Sequence, residues 1–155
     1  MPFRLLLISG VPATGKTAFG DWLQNEKSFL HLDIEKIQKI PDVNDLIKLS
    51  RPVVMTWGFD PQQKELQIVG GLKNLGVSLW WFTAETSIAR EFFMRRGGDV
   101  RLFDYQMSRL RQESGKIEEL WSPNIVETLN SAGYLPRETI YQRILETLYR
   151  SRSEQ

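Results

Sequence analysis

The segment that most constrains this chain is Gly10–Thr17, with the sequence Gly-Val-Pro-Ala-Thr-Gly-Lys-Thr. It matches the pattern G-x-x-x-x-G-K-[ST] at every fixed position. Residues 3–9 before it are almost all apolar, which is typical of a parallel strand buried on both faces. Residues 17–25 after it have apolar side chains at helical spacing. The pattern therefore lies between a strand and a helix, the setting in which it forms a phosphate-binding loop.

Each fixed residue of this loop has a chemical reason to be there. Gly10 and Gly15 permit backbone conformations that a side chain would forbid, so amide groups can approach phosphate oxygens. The following helix directs its free amides and positive dipole end at the same anion. Lys16 would reach the β- and γ-phosphates of a nucleotide, and the Thr17 hydroxyl would bind Mg²⁺. We therefore predict ATP and Mg²⁺ as ligands, and a nucleotide-binding set of Gly10, Val11, Pro12, Ala13, Thr14, Gly15, Lys16, Thr17 and Ala18.

Predicted strands and helices alternate along the rest of the chain. Further strands are expected at 28–33, 52–57, 77–82 and 124–129, with a turn at 130–133 after the last of them. Helices are expected at 42–49, at 60–74 with Asp60 as cap, at 87–96 after a Thr86 cap, and at 104–114, 116–121 and 136–150. Such alternation predicts an α/β fold, in which a parallel five-stranded sheet is covered by helices on both faces as a three-layer structure.

Composition limits the size and the environment of the protein. A chain of 155 residues fits one domain, predicted at 1–150, followed by a polar tail at 151–155. The formal net charge of +1 gives no global attraction to nucleic acid or to a membrane surface. The sequence has no cysteine and no apolar run that approaches the length of a membrane span. We therefore expect a cytoplasmic protein without a membrane partner.

The strand, the phosphate loop, the helix, the acid-ended second strand and an arginine-rich segment together resemble the small P-loop kinases. The layout is similar to gluconate kinase, shikimate kinase, the kinase half of polynucleotide kinase and the zeta-toxin-like group, from Phe3 to about Leu148. This resemblance implies the sheet order 2-3-1-4-5 and ligands beyond the carboxyl ends of the strands. It also implies a lid at about 86–121.

The resemblance gives Asp33 a role at the end of the second strand. An acid there either helps to bind Mg²⁺ through water or accepts the proton of the acceptor hydroxyl. Glu35 would join the same cluster, so the metal set implied is Thr17, Asp33 and Glu35. An alternative is that Asp33 only caps the helix that begins at Ile34. Lys36 lies three residues after Asp33, and solvation is the favoured interpretation of that side chain.

The resemblance also implies that lid arginines fold over the phosphates, because a guanidinium stabilises the charge of the transferred group. Arg95 and Arg96 match best and are predicted, with Lys16 and Asp33, as the catalytic residues. The reserve candidates are Arg90, Arg101, Arg109 and Arg111. Gly97 and Gly98 fit a segment that moves on ligand binding. For any single arginine, an exposed position on a helix remains the alternative.

One departure from the kinase pattern lies at the end of the third strand. Related nucleotide kinases have an acid that supports Mg²⁺ where this chain has Trp57, so the metal would depend on Thr17, Asp33 and Glu35, or on Asp60. Trp57 and Phe59 would either line an apolar acceptor pocket or, as the favoured interpretation for Trp57, pack in the core. His31 shares a strand face with Asp33, and a structural hydrogen bond is favoured over a proton relay.

Two classes of function fit these observations. The leading hypothesis is an ATP-dependent kinase that moves the γ-phosphoryl group to a hydroxyl of a small molecule. A polynucleotide 5′-hydroxyl kinase is a variant of it that the near-neutral charge disfavours. The second hypothesis is a nucleotide-binding regulator or degenerate ATPase, and Trp57 in place of the acid is the evidence for it.

Overall fold

A computed structural model describes residues 4–58 and 60–153. Five parallel strands form its central sheet: β1 (Leu5–Gly10), β2 (Leu30–Asp33), β3 (Val53–Thr56), β4 (Ser78–Thr83) and β5 (Ile125–Glu127). Their spatial order is β2-β3-β1-β4-β5, so the predicted order 2-3-1-4-5 is confirmed. The sheet places β1, and with it the phosphate loop, at the centre of the carboxyl edge.

Eight helices lie among the described residues: α1 (Lys16–Lys27), α2 (Ile34–Ile37), α3 (Val43–Ile47), α4 (Gln63–Asn74), α5 (Thr86–Arg95), α6 (Val100–Gln112), α7 (Ser114–Trp121) and α8 (Arg137–Ser153). The strands alternate their side chains between two cores because successive residues of a strand point to opposite faces. One core includes Leu5, Leu7, Val53, Met55 and Trp81 with side chains of α4 and α7. The other includes Leu6, Ile8, Val54, Trp80 and Phe82 with side chains of α1 and α8. Both faces of the sheet are thus covered, as predicted.

The start of α4 differs from the prediction. Asp60 does not cap that helix: Gln62 occupies the cap position and the helix begins at Gln63. The Asp60 carboxylate instead accepts hydrogen bonds from the side chains of Gln62, at 3.1 Å, and Arg109, at 3.2 Å. The predicted cap is therefore wrong because a side chain from α6 binds the carboxylate.

Other helix boundaries also shift. The helix predicted at 104–114 begins at Val100, because Asp99 accepts a hydrogen bond from the amide of Arg101 at 2.9 Å and so caps it. Thr86 does not cap α5, since it is the first helical residue and Glu85 precedes it. The last helix continues to Ser153, three residues past the predicted end. Local capping side chains explain only the first of these differences.

The strand predicted at 124–129 is interrupted. β5 ends at Glu127, and β6 (Leu129–Asn130) then pairs in antiparallel fashion with β7 (Gly133–Tyr134). The predicted turn between them is present, and its amide at Ala132 donates to the Asn130 side chain at 2.8 Å. This small hairpin extends beyond the sheet edge and places Thr128 and Tyr134 beside the phosphate loop.

Candidate active site

The phosphate loop joins β1 to α1 through three residues with positive φ. Gly10, Ala13 and Gly15 have φ of 147°, 68° and 86°. Two of these positions have the glycine that such a backbone favours, and Ala13 adopts it at a cost of about 1 kcal/mol. α1 begins at Lys16 without a side-chain cap, so its first amides are available to an anion. The loop therefore has the form that the sequence predicted.

Two side chains that the sequence analysis did not single out support the loop. The Thr128 hydroxyl donates to the Thr14 carbonyl and the Tyr134 hydroxyl to the Ala13 carbonyl, both at 2.8 Å. The Thr14 hydroxyl in turn donates to the Val11 carbonyl at 2.7 Å. These bonds fix the carbonyl groups of Val11, Ala13 and Thr14. No sequence signal indicates the bonds of Thr128 and Tyr134, because their partners are 114 and 121 residues away in the chain.

Lys16 lies at the centre of the site. Its ammonium donates to the carbonyls of Val11, at 2.8 Å, and Gly10, at 3.3 Å. Burial lowers the pKa of Lys16 from its usual 10.5 to about 8. The Glu35 carboxylate opposes this shift, and the positive charge of Arg96 adds to it. The ammonium thus interacts electrostatically with an acid and with a guanidinium, and a bound polyanion would stabilise it.

The two predicted acids meet the loop from the end of β2. One Asp33 oxygen accepts from the amide of Glu35 at 3.2 Å, so Asp33 does cap α2. The other oxygen lies 3.5 Å from the Thr17 hydroxyl oxygen, which is long for a hydrogen bond. A Cβ added to Gly58 would lie 2.5 Å from a Glu35 carboxylate oxygen and 3.7 Å from Cε of Lys16. The structure therefore brings Thr17, Asp33 and Glu35 together around Lys16.

The structure separates the two predicted arginines. Arg96 lines the cavity at the loop, with its guanidinium 5.1 Å from the ring centroid of Phe93. Arg95 pairs with Glu91 and is 62% exposed, and it is absent from the described residues that line the cavity. Among the reserves, Arg90 pairs with Asp104, Arg101 with Asp99 and Arg109 with Asp60, and Arg111 is exposed. Of the two predicted arginines, Arg96 is thus the one that lines the cavity.

A cavity of about 1160 Å³ opens along the loop. One of its walls is formed after β3 and by α6, from Trp57, Gly58, Asp60, Pro61, Leu102, Tyr105, Gln106 and Leu110. The opposite wall includes Ala18, Trp22, Leu135, Pro136 and Arg137. Trp57 is half-buried: it packs against the core and also lines the cavity, so both sequence interpretations apply to it. Phe59 lies outside the described residues.

His31 lies behind the site and contacts two residues that line the cavity, Asp21 and Thr56. Its side chain is 4% exposed, with Nδ1 2.8 Å from an Asp21 carboxylate oxygen and Nε2 2.8 Å from the Thr56 hydroxyl. A Cβ on Gly20 would meet the ring at 2.4 Å. These contacts agree with the structural hydrogen bonding that the sequence analysis favoured.

The described residues contain no group of three or more histidine, cysteine, aspartate or glutamate side chains arranged to hold a metal ion. Thr17, Asp33 and Glu35 supply one hydroxyl and two carboxylates, which suit a hard cation that also binds phosphate oxygens and water. The donor set therefore fits Mg²⁺ shared with a nucleotide.

Among the described residues, no helix is long and apolar enough to cross a membrane.

The lowered pKa of Lys16 predicts that nucleotide binding takes up a proton. Above about pH 8 the free protein holds a neutral Lys16, whereas the triphosphate requires the ammonium, so ATP affinity should fall by up to about tenfold per pH unit. Calorimetry at pH 9 in two buffers of different ionisation enthalpy measures the uptake, and we expect close to one proton. A Lys16→Met control should take up no proton. Absence of proton uptake in the wild-type protein as well would contradict the prediction.

No model of a protein family matches this sequence. No curated protein matches it. Solved structures do. A gluconokinase from Sinorhizobium meliloti 1021 is 16% identical, with a TM-score of 0.60 over 96% of this chain and 93% of the other. The Deinococcus radiodurans tunicamycin resistance protein is 15% identical, with a TM-score of 0.60 over 93% of this chain and 95% of its own.

A third similar structure is a shikimate kinase from Bacteroides thetaiotaomicron. It is 12% identical, with a TM-score of 0.59 over 93% of this chain and 97% of that chain. TM-scores of 0.59 and 0.60 show similarity of fold, and this similarity extends over nearly the whole length of each chain. The resemblance stated from the sequence is therefore confirmed at the level of the fold: this chain has the fold of the small P-loop kinases.

Proposed function

We propose that the protein is an ATP-dependent phosphotransferase that moves the γ-phosphoryl group to a hydroxyl of a small molecule. The observation that supports this most directly is the position of Lys16. It lies in a glycine-bounded loop and lines the same cavity as Asp33, Glu35 and Arg96. A cation, a guanidinium and two acids around one helix start suit the binding and transfer of a phosphoryl group.

The proposed roles follow from these positions. The loop amides, Lys16 and Arg96 bind the phosphates and stabilise the negative charge that spreads during transfer. Mg²⁺, bound by Thr17, Asp33 and Glu35 together with phosphate oxygens, would neutralise further charge. Arg96 directly follows α5, in the segment 86–121 proposed as a lid, and Gly97 after it has φ of 85°.

Asp33 is proposed to assist the acceptor. The acceptor hydroxyl oxygen forms a bond to the γ-phosphorus while the bond from that phosphorus to the β–γ bridging oxygen breaks, and ADP leaves. The hydroxyl proton passes to the Asp33 carboxylate.

A compartment without oxidising chemistry, such as the cytoplasm, suits a chain that has no cysteine.

Replacement of Asp33 by asparagine tests this role. Asparagine caps helices as well as aspartate does, so α2 should remain intact while the carboxylate is lost. We expect acceptor-dependent ADP formation to fall by about a hundredfold or more, because general-base assistance and part of the metal site disappear together. A coupled assay of ADP release with a panel of sugars, nucleosides and aromatic alcohols measures this.

The matched control is Asp42→Asn. Asp42 caps α3 in the same way, accepting from the amide of Asn44 at 2.9 Å, and it is absent from the described residues that line the cavity. Its substitution should leave ADP formation within about twofold of wild type. Equal activity of the two variants would show that Asp33 serves only as a helix cap.

A regulator that binds ATP without transfer is the second candidate. Trp57 occupies the place of the usual strand-end acid, and Lys16 hydrogen-bonds to carbonyls of its own loop. Calorimetric ATP binding without ADP formation with any member of the acceptor panel would favour this candidate over the kinase.

A further inference from the structure

The cavity wall after β3 and along α6 has an unusual surface. Trp57, Pro61, Leu102, Tyr105 and Leu110 line it, so it is mostly apolar and aromatic. Leu102 and Tyr105 are 49% and 56% exposed. Large apolar side chains grouped in a concavity mark a ligand-binding surface more often than apolar residues scattered over the exterior.

The charges near this wall are negative. Asp33, Glu35 and Asp60 line the cavity here, and none of the wall residues in the described part of the chain is basic. The nearest guanidinium on α6, Arg109, donates to Asp60 at 3.2 Å and to the Gln112 side chain at 3.0 Å. Its charge is therefore already paired with an acid.

Among the described residues, the cations that line the cavity lie away from this wall: Lys27 pairs with Glu138 at 3.2 Å, Arg137 belongs to the other wall, and Lys16 and Arg96 lie at the loop. Lys16 and Arg96 influence each other electrostatically, and both belong to the proposed phosphate site. A carboxylate or phosphate on the acceptor would thus meet no available cation on this wall. Taking an anion out of water without a partner is costly.

We infer that the acceptor is an uncharged or cationic alcohol with an aromatic or apolar body, and that sugar acids and phosphorylated alcohols are excluded. This inference rests on the proposed function. The body would lie against Trp57, Leu102 and Tyr105, with its hydroxyl directed toward Asp33. Gln106 provides a neutral hydrogen-bonding group on the same wall.

Three probes that share a phenyl ring and a hydroxyl but differ in charge test the inference. They are 3-phenyl-1-propanol, which is neutral, phenylalaninol, which is cationic, and 3-phenyllactate, which is anionic. Binding to the full chain is measured by calorimetry in the presence of ADP and Mg²⁺, so the readout does not depend on transfer. Gluconate serves as a comparison that is anionic and has no apolar body. We expect both the neutral and the cationic probe to bind at least about tenfold more tightly than 3-phenyllactate.

Tyr105→Ala locates the binding to this wall. We expect about tenfold weaker binding of the neutral probe, since an aromatic contact is lost. The matched control is Tyr149→Ala on α8: Tyr149 is 55% exposed, close to the value for Tyr105, and does not line the cavity among the described residues. It should bind the probe like wild type. Thermal melting of both variants verifies that they fold.

The outcomes separate this inference from the proposed function. Tighter binding of gluconate or 3-phenyllactate than of the other probes, or an unchanged affinity in Tyr105→Ala, would overturn the inference. Asp33-dependent phosphorylation of gluconate would do the same and leave the proposed function standing. Binding of the neutral probe at Tyr105 without phosphorylation of any alcohol would support the chemistry of the wall and refute the phosphotransferase.

Discussion

Replacement of Lys16 by methionine is expected to lower ATP-dependent phosphoryl transfer by about a thousandfold. The ammonium is the cation of the loop, where it donates to the carbonyls of Gly10 and Val11, and methionine has a similar length without the charge. The transferred group develops charge that a fixed cation stabilises strongly where water is excluded. The measurement is kcat/KM for ATP in the coupled assay with the best acceptor of the panel.

The same substitution should not destabilise the fold. Burial disfavours the charged form of Lys16 and lowers its pKa, so removal of the charge relieves a cost that offsets the loss of its two hydrogen bonds to loop carbonyls. We expect a melting temperature equal to or above that of wild type. Lys36→Met is the control, because Lys36 is exposed on α2 and does not line the cavity among the described residues. Comparable activity of both variants would contradict a phosphate-binding role for Lys16.

The parts of the site that could be predicted from the sequence are those with a local signal. The loop pattern fixes Gly10, Gly15, Lys16 and Thr17 relative to one another because they are adjacent in the chain. Asp33 is the last residue of a short strand, and parallel strands bring their carboxyl ends to one edge. The order of the five strands required the family resemblance, since alternation alone predicts only a parallel sheet.

The parts that could not be predicted depend on long-range contacts. The Tyr134 hydroxyl donates to the carbonyl of Ala13, 121 residues earlier in the chain. The Arg109 side chain donates to Asp60, which was predicted to cap α4. The choice between Arg95 and Arg96 required the register of α5, which ends at Arg95 and directs these neighbours differently. A shift of the helix by one residue would change which guanidinium lines the cavity. Helix boundaries cannot be predicted from sequence to within one residue.

Replacement of Gly10 by alanine is expected to cost roughly 3–5 kcal/mol of unfolding free energy. A Cβ there would lie 2.1 Å from the Phe82 carbonyl oxygen and 2.7 Å from its amide nitrogen, and φ is 147°. Gly10 is in register with Phe82 on β4, whose carbonyl also accepts from the Val11 amide at 2.9 Å. The obstacle is therefore backbone of a central strand, which cannot move aside without loss of ladder hydrogen bonds. Urea unfolding measures the change.

Gly115→Ala is the matched control, because it adds the same methyl group in a different setting. Gly115 lies within α7, and a Cβ there would meet nothing within 4 Å. Alanine should stabilise this helix by about 0.5–1 kcal/mol. The opposite signs of the two substitutions isolate the close approach of β1 to β4 from the general effect of replacing a glycine. An unfolding free energy of Gly10→Ala within about 1 kcal/mol of the wild-type value would contradict the close approach of Gly10 to the backbone of β4.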